Sequence, residues 1–353
     1  MVFVGKFSEI PQQGGVVQVV DKILVRKINI QRDGKSRRHN QGQPQQHLIA
    51  VKAGEKLKSL DGLQDFFKQL NRFQRKRGND FPLKTVRGVG GGSIGDFAGF
   101  VASIYRRGIE LQLVPSTWLS AIDSAHGGKN ALNLNGIKNQ LGTFYMPSKV
   151  WIVKELLTLQ PQVRAQDAWG EVIKIGLIQG GNLWRQVKSA SPSDLNGLLR
   201  LLPRLIEAKM RVVRKDPLEK SGFRQILNLG HSVGHVLESA LKIPHGIAVL
   251  HGIFFSLRWS LQLDMISFSH YSEIENHLNS LKIISKKDQL KALKSAAKKW
   301  HLILADKKAI GSGFHFIFLK GPGKVFRKAV TYRQFKSEWN RQIRCLESQA
   351  RDY

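Results

Sequence analysis

The chain is short of cysteine, of acidic residues and of unbroken apolar sequence, and each shortage narrows what it can be. Cys345 is the single cysteine in 353 residues. No intrachain disulfide can form, so a reducing compartment, the cytoplasm, suits the chain. No run approaches the roughly 18 apolar residues of a membrane-crossing helix. The greasiest stretch, residues 247–257, is interrupted by His251 and Gly252 and followed by Arg258. Residues 1–10 carry Lys6 and Glu9 and lack a long apolar run, which fits no secretory leader. Asp and Glu number 26 against 56 Lys and Arg, a formal net charge of +30. Such an excess raises nucleic acid as a partner. The basic clusters lie mainly toward the two ends, at 35–38, 72–77 and 286–299, without zinc-finger spacing, a basic-plus-heptad run or an aromatic-interleaved RNA-binding signature. They read as a solvated basic surface, of which a small anionic substrate would use only a few charges.

What is present is ordinary for a globular protein. A hydrophobic share of 42% and a charged share of 23% exclude a disordered chain, and the length suffices for two domains. Residues 15–30 alternate like a strand, through Val16, Val17, Val19 and Val20 to Ile23, Leu24 and Val25. Helical spacing follows in Leu57, Leu60, Leu63, Phe66, Phe67 and Leu70. Next come a short element to Val89, a glycine cluster, an apolar helix from Phe97 to Tyr105, and a strand over 109–114 closed by Pro115. This alternation predicts a parallel α/β domain over residues 1–160. Beyond Pro161, amphipathic stretches at 168–178, 195–214, 227–241, 247–263, 271–281 and 290–299 predict a mainly α-helical domain over 161–353, with strand character only near 315–319.

Four motifs carry chemistry. Arg87-Gly-Val-Gly-Gly-Gly-Ser-Ile-Gly-Asp96 is a glycine-rich turn between strand and helix, where a backbone can approach phosphate and helix-start N–H groups favour anions. Asp123-Ser-Ala-His-Gly-Gly-Lys129, with Lys138-Asn139 close behind, joins a carboxylate to nitrogen donors around a glycine pair. Glu171-Val-Ile-Lys174 puts a carboxylate and an amine on one face of a helix apolar on most sides, and a buried pair of that kind calls for a metal or a ligand. Arg224, Asn228, His231 and His235 step at i, i+4, i+7 and i+11, which predicts one helical stripe. His245-Gly246 and His251-Gly252 follow. One Glu and two His would leave a fourth zinc position open, as catalytic zinc requires.

Together these segments resemble the 3-dehydroquinate synthase family of the sugar phosphate cyclase superfamily. The resemblance runs from about Gly54 to Gly311. It rests on Gly90-Gly-Gly-Ser-Ile-Gly-Asp-Phe-Ala-Gly-Phe100, Tyr105-Arg-Arg-Gly108, Pro115-Ser-Thr117, Asp123-Ser-Ala-His-Gly-Gly-Lys129, Gly136-Ile-Lys-Asn139, Glu171-Val-Ile-Lys174, Asn228-Leu-Gly-His-Ser-Val-Gly-His235 and His245-Gly-Ile-Ala-Val249. It implies an α/β N-terminal Rossmann-like nucleotide-binding domain, a mainly α-helical C-terminal metal-binding domain, and NAD and a divalent metal, zinc or cobalt, as cofactors. It implies metal ligands at Glu171, His231 and His245, and NAD contacts at Glu55, Lys58, Gly91, Gly92, Asp96, Ser116, Thr117, Asp123, Lys129 and Lys138. Substrate and catalytic roles fall on Lys129, Asn139, Lys174, Lys209, Arg224, Asn228 and His235. The resemblance further implies a homodimer in which Arg107 reaches the substrate phosphate from the neighbouring subunit, and a late lysine at Lys307 or Lys308. The implied substrate is a small anionic sugar-acid phosphate, with no membrane and no nucleic acid.

The sequence also departs from the family. Members carry an Asp-x-Asn segment after the first strand where Ile28-Asn-Ile-Gln-Arg-Asp33 stands here. Ile247 replaces a Glu, and His126 replaces a small residue. Another cyclase or a metal-dependent polyol dehydrogenase is the nearest alternative. Glu171 in a Glu-x-x-Lys setting, together with Arg224 and Asn228, favours a cyclase acting on an acid. A nucleic-acid-binding protein on a retired scaffold is the other alternative, and the intact polar set argues against it.

Overall fold

The computed structural model describes residues 1–27, 46–76, 83–302 and 313–351. Its contacts divide the chain into two compact units, Met1–Pro161 and Gln162–Tyr353. The basic loop containing Asp33, and Lys307 and Lys308, lie outside the described residues.

The strands of the first unit are β1 (Val2–Val4), β2 (Val16–Asp21), β3 (Gln46–Val51), β4 (Thr85–Gly90), β5 (Glu110–Pro115), β6 (Lys129–Leu134), β7 (Ile137–Phe144) and β8 (Lys149–Val153). Six form a parallel sheet in the order β1-β8-β5-β4-β2-β3. Val16, Val17, Val19 and Val20 are all fully buried, the continuous apolar strand that a parallel sheet requires. The helices are α1 (Lys22–Lys27), α2 (Leu60–Lys76), α3 (Gly92–Ile104), α4 (Trp118–Ile122) and α5 (Lys154–Thr158).

Three local expectations change. Residues 22–27 are helical rather than a continuation of the strand: the Asp21 carboxylate accepts from the Ile23 N–H at 3.2 Å, a capping bond that ends β2 and starts α1. α3 begins at Gly92, five residues before Phe97, because Gly90 lets the chain turn tightly. A Cβ at Gly90 would collide with the Ile94 side chain. Lys129 to Phe144 is an antiparallel hairpin that the motif reading passed over. Its two-residue turn is Asn135-Gly136, both at positive φ (52° and 78°), the pairing that hairpin turns favour.

The second unit contains α6 (Gln162–Asp167), α7 (Trp169–Gln179), α8 (Gly181–Ser189), α9 (Leu195–Lys215), α10 (His231–Leu241), α11 (His245–Gln262), α12 (Phe268–Ser280), α13 (Lys286–Ala296) and α14 (Tyr332–Arg351). One hairpin, β9 (Gly313–Leu319) with β10 (Val325–Thr331), completes it. One core of this unit gathers Phe314, Phe316 and Phe318 from β9, Phe255 and Trp259 from α11, and Phe335 and Trp339 from α14. β10 has only Val330 buried, so its sequence carries little apolar signal.

Candidate functional site

In the second unit, three side chains converge from three helices. Glu171 projects from α7, His231 opens α10 and His245 opens α11; their ligand atoms lie within 4.8 Å of one another. Glycines set this convergence. Gly170 precedes Glu171, and a Cβ there would land on the Gly246 carbonyl. Gly246 follows His245, and a Cβ there would land on the Asp167 carbonyl. Gly230 precedes His231, and a Cβ at Gly252 would land on the Gly230 carbonyl. The backbones of α7, α10 and α11 therefore touch beside each of the three ligands.

The geometry suits a tetrahedral cation. Glu171 Oε1 lies 3.5 Å from His231 Nε2 and 3.2 Å from His245 Nε2. Bonds of about 2.0–2.1 Å in a tetrahedron separate ligand atoms by about 3.3 Å. Both imidazoles are oriented from behind. His231 donates Nδ1–H to the Leu229 carbonyl at 3.2 Å, and His245 donates Nδ1–H to Glu238 Oε2 at 2.9 Å. Each bond turns Nε2 toward Glu171, the second partner that metal-bound histidines usually have. Glu238 is a functional residue that sequence reasoning missed; its i+7 spacing from His231 was the available signal. Burial alone would depress the His245 imidazole, but its bonds to Glu171 and Glu238 outweigh that and hold it up to about 10. A proton and a divalent cation thus compete for the same position.

Lys174, one turn along α7 and 1% exposed, has its Nζ on Glu171 Oε2. The His235 ring lies 5.2 Å from that of His231 and 6.2 Å from that of His245. Arg224 and Asn228 do not share the stripe of His231 and His235. They lie on a separate 3₁₀ turn, Phe223–Asn228, and Gly230 at φ 80° breaks the helix before α10 starts. Arg224 is buried; its backbone N–H donates to Asp216 and its guanidinium to the Pro217 carbonyl at 2.9 Å. Lys209 is buried on α9. Both that helix and the 3₁₀ turn pack against α7.

In the first unit, Gly91 caps α3 and Gly92 opens it. A Cβ at Gly91 would stand 3.2 Å from Thr117, and one at Gly92 would stand 3.3 Å from Ser124. Ser116 follows β5, Thr117 caps α4 through the Ser120 N–H, and Asp123 closes that helix. Lys58, 4% exposed, binds both Asp96 Oδ2 and Asn139 Oδ1 at 2.6 Å. Burial pushes the Asp96 carboxyl upward against the pull of Lys58. Glu55 reaches the same group through Asn133. Lys129 and Lys138 are exposed on β6 and β7. Arg107 is exposed at φ 68° on the turn Tyr105–Arg107. His126 is buried and bonds to the Ala121 carbonyl at 2.9 Å.

The 3-dehydroquinate synthase N-terminal family model matches residues 48–167, and its C-terminal counterpart matches residues 168–309. The chain is 37% identical over 285 residues to the 3-dehydroquinate synthase of Leptospira interrogans serovar copenhageni, covering 78% of this chain and 75% of that protein. It is 34% identical over 291 residues to that of Pyrobaculum islandicum, covering 81% and 82%. Among solved structures, a 2-deoxy-scyllo-inosose synthase with carbaglucose-6-phosphate, NAD+ and Co2+ superposes with a TM-score of 0.76 at 22% identity, covering 96% of this chain and 95% of that one. A 2-epi-5-epi-valiolone synthase from Streptomyces hygroscopicus subsp. jinggangensis with NAD+ and Zn2+ gives 0.73 at 18%, covering 99% and 96%. These two share the fold.

Proposed function

The chain belongs to the 3-dehydroquinate synthase family, and from that membership we propose that it converts 3-deoxy-arabino-heptulosonate 7-phosphate to 3-dehydroquinate and phosphate, a step of the shikimate pathway. The observation that carries the reading is the convergence of buried Glu171 and His231 with half-buried His245, and Lys174 held on Glu171. When bound, NAD supplies a hydride acceptor that becomes the donor within one turnover, and zinc or cobalt supplies a Lewis acid for the substrate hydroxyl.

Glu171, His231 and His245 would hold the metal, with Glu238 and the Leu229 carbonyl fixing the two imidazoles. Glu55, Lys58, Gly91, Gly92, Asp96, Ser116, Thr117, Asp123, Lys129 and Lys138 would hold the dinucleotide. Lys129, Asn139, Lys209, Arg224 and Asn228 would grip the carboxylate and phosphate ends, which call for charge-assisted donors. Lys174 and His235 are the proton carriers. One proton leaves the secondary hydroxyl as it is oxidised, and a second leaves the C–H beside the new ketone as phosphate departs. Arg107 of a second copy would complete the phosphate site, making the working unit a homodimer. The single Cys345 suits the cytoplasm, and among the described residues no helix is long and apolar enough to cross a membrane.

Phosphate release from purified protein with NAD, zinc and the heptulosonate phosphate tests the reading. Release should run well above that of a Lys174→Ala control, and release no higher than that control overturns it.

A further inference from the structure

Two residues assigned above, one to NAD and one to substrate, meet at one side chain that no motif marked. Asn133 is half-buried near the end of β6. The β6–β7 ladder is irregular there: Leu132 pairs with Leu141, but Leu134 pairs with Ile137, so Asn133 alone stands opposite residues 138–140. Extra residues of this kind bend a strand and re-aim its side chains. Two of the three are Lys138 and Asn139.

Asn133 secures that irregularity through its own polar atoms. Its Oδ1 accepts the Asn139 N–H at 3.0 Å, and its Nδ2 donates to Glu55 Oε2 at 2.7 Å. Its backbone N–H donates to the Lys58 carbonyl at 2.7 Å. Asn139 sits at φ 57°, in the left-handed region that asparagine adopts more readily than most residues with a side chain. From the other side the Lys58 ammonium bonds both Asn139 Oδ1 and Asp96 Oδ2. Glu55, Asn133, Asn139, Lys58 and Asp96 form one continuous chain of hydrogen bonds.

We infer that Asn133 is a positioning residue that ties the dinucleotide-binding carboxylate of Glu55 to the substrate-binding amide of Asn139. It acts through those two residues and touches no reacting atom. The inference rests on the roles proposed above for Glu55 and Asn139. Leucine at this position keeps the size and removes both side-chain bonds. Asn133→Leu should weaken NAD binding, read by direct titration, and raise the substrate KM, each by about tenfold. The kcat should fall less than about threefold, because the lost contacts act on binding rather than on the chemical step. The thermal midpoint should stay that of the parent, which separates positioning from a merely structural role.

A second set of variants decides the matter if Asn133→Leu folds poorly. Asn133→Asp sets a carboxylate against Glu55 and should weaken NAD binding; adding Glu55→Gln restores a donor–acceptor pair. The double variant should then bind NAD more tightly than the product of the two single losses. Purely multiplicative losses, or an Asn133→Leu protein within twofold of the parent in both NAD affinity and KM, overturn the inference. A parent that binds NAD but releases no phosphate would instead contradict the proposed reaction, and the NAD titrations would still test Asn133.

Discussion

At the scale of single residues, two His-Gly pairs compete for the third metal position, and geometry separates them. Six residues along one helix is about 600°, so His245 and His251 cannot face one ion from α11. His245, which follows Pro244 and opens α11, holds Nε2 toward Glu171, while His251 is buried six residues further along, near enough to Asp288 and Arg258 for their charges to act on it. Accordingly, His245→Ala should lose bound metal and activity together. His251→Ala should keep one metal per chain even if its affinity falls roughly 10–100-fold; metal analysis of the two variants checks this. Burial also pushes the His251 imidazole down to about 4, so it stays neutral in the folded chain. An ordinary unfolded histidine titrates near 6.5, and the unfolded chain therefore takes up this proton first as pH falls. The contribution is complete above 6.5 and is lost progressively down to about 4. Denaturant titrations at pH 7 and pH 5 should show His251→Leu losing about 2 kcal/mol less stability than the parent over that interval.

At the scale of elements, helix contact makes the metal group. Gly252 carries no ligand, yet its Cα lies against the Gly230 carbonyl beside His231. Gly252→Ala should cost about 1–3 kcal/mol of stability by overpacking and weaken zinc binding by about tenfold. Gly14→Ala, where a Cβ meets nothing within 4 Å, should change neither; zinc titration and melting of both variants make the comparison. The same contacts explain what was legible in the sequence. Gly-Glu, Gly-His and His-Gly pairs mark where ligand and helix contact coincide, and the parallel strands announced themselves through runs such as Val16 to Val20. Arg224 and Asn228 kept helical spacing across a break that spacing alone cannot show, since Gly230 is compatible with either path. Ile23 to Val25 looked like a strand through β-branched preference, which capping by Asp21 outweighed. Asn133 was invisible for a different reason: its partner Glu55 lies 78 residues away, and only the fold brings the two together.

At the scale of the whole molecule, the net charge of +30 exceeds what a carboxylate and a phosphate need. Assembly is the other question at this scale. If Arg107 completes the phosphate site of a second copy across a two-fold interface, Arg107→Ala and Lys174→Ala subunits should complement when mixed. Half the dimers would be hybrid with one complete site each, giving roughly a quarter of the parental rate. An unmixed rate after subunit exchange, or full activity from a monomer on sizing, would remove the shared role. The measurement closest to the centre of the account is bound zinc and phosphate release followed together in the parent and in Glu171→Gln. The parent should hold one zinc per chain, lose phosphate release on chelation and regain it in step with added zinc, while Glu171→Gln should lack both. A Glu171→Gln protein that keeps stoichiometric zinc, or a chelated parent that releases phosphate undiminished, would contradict the account.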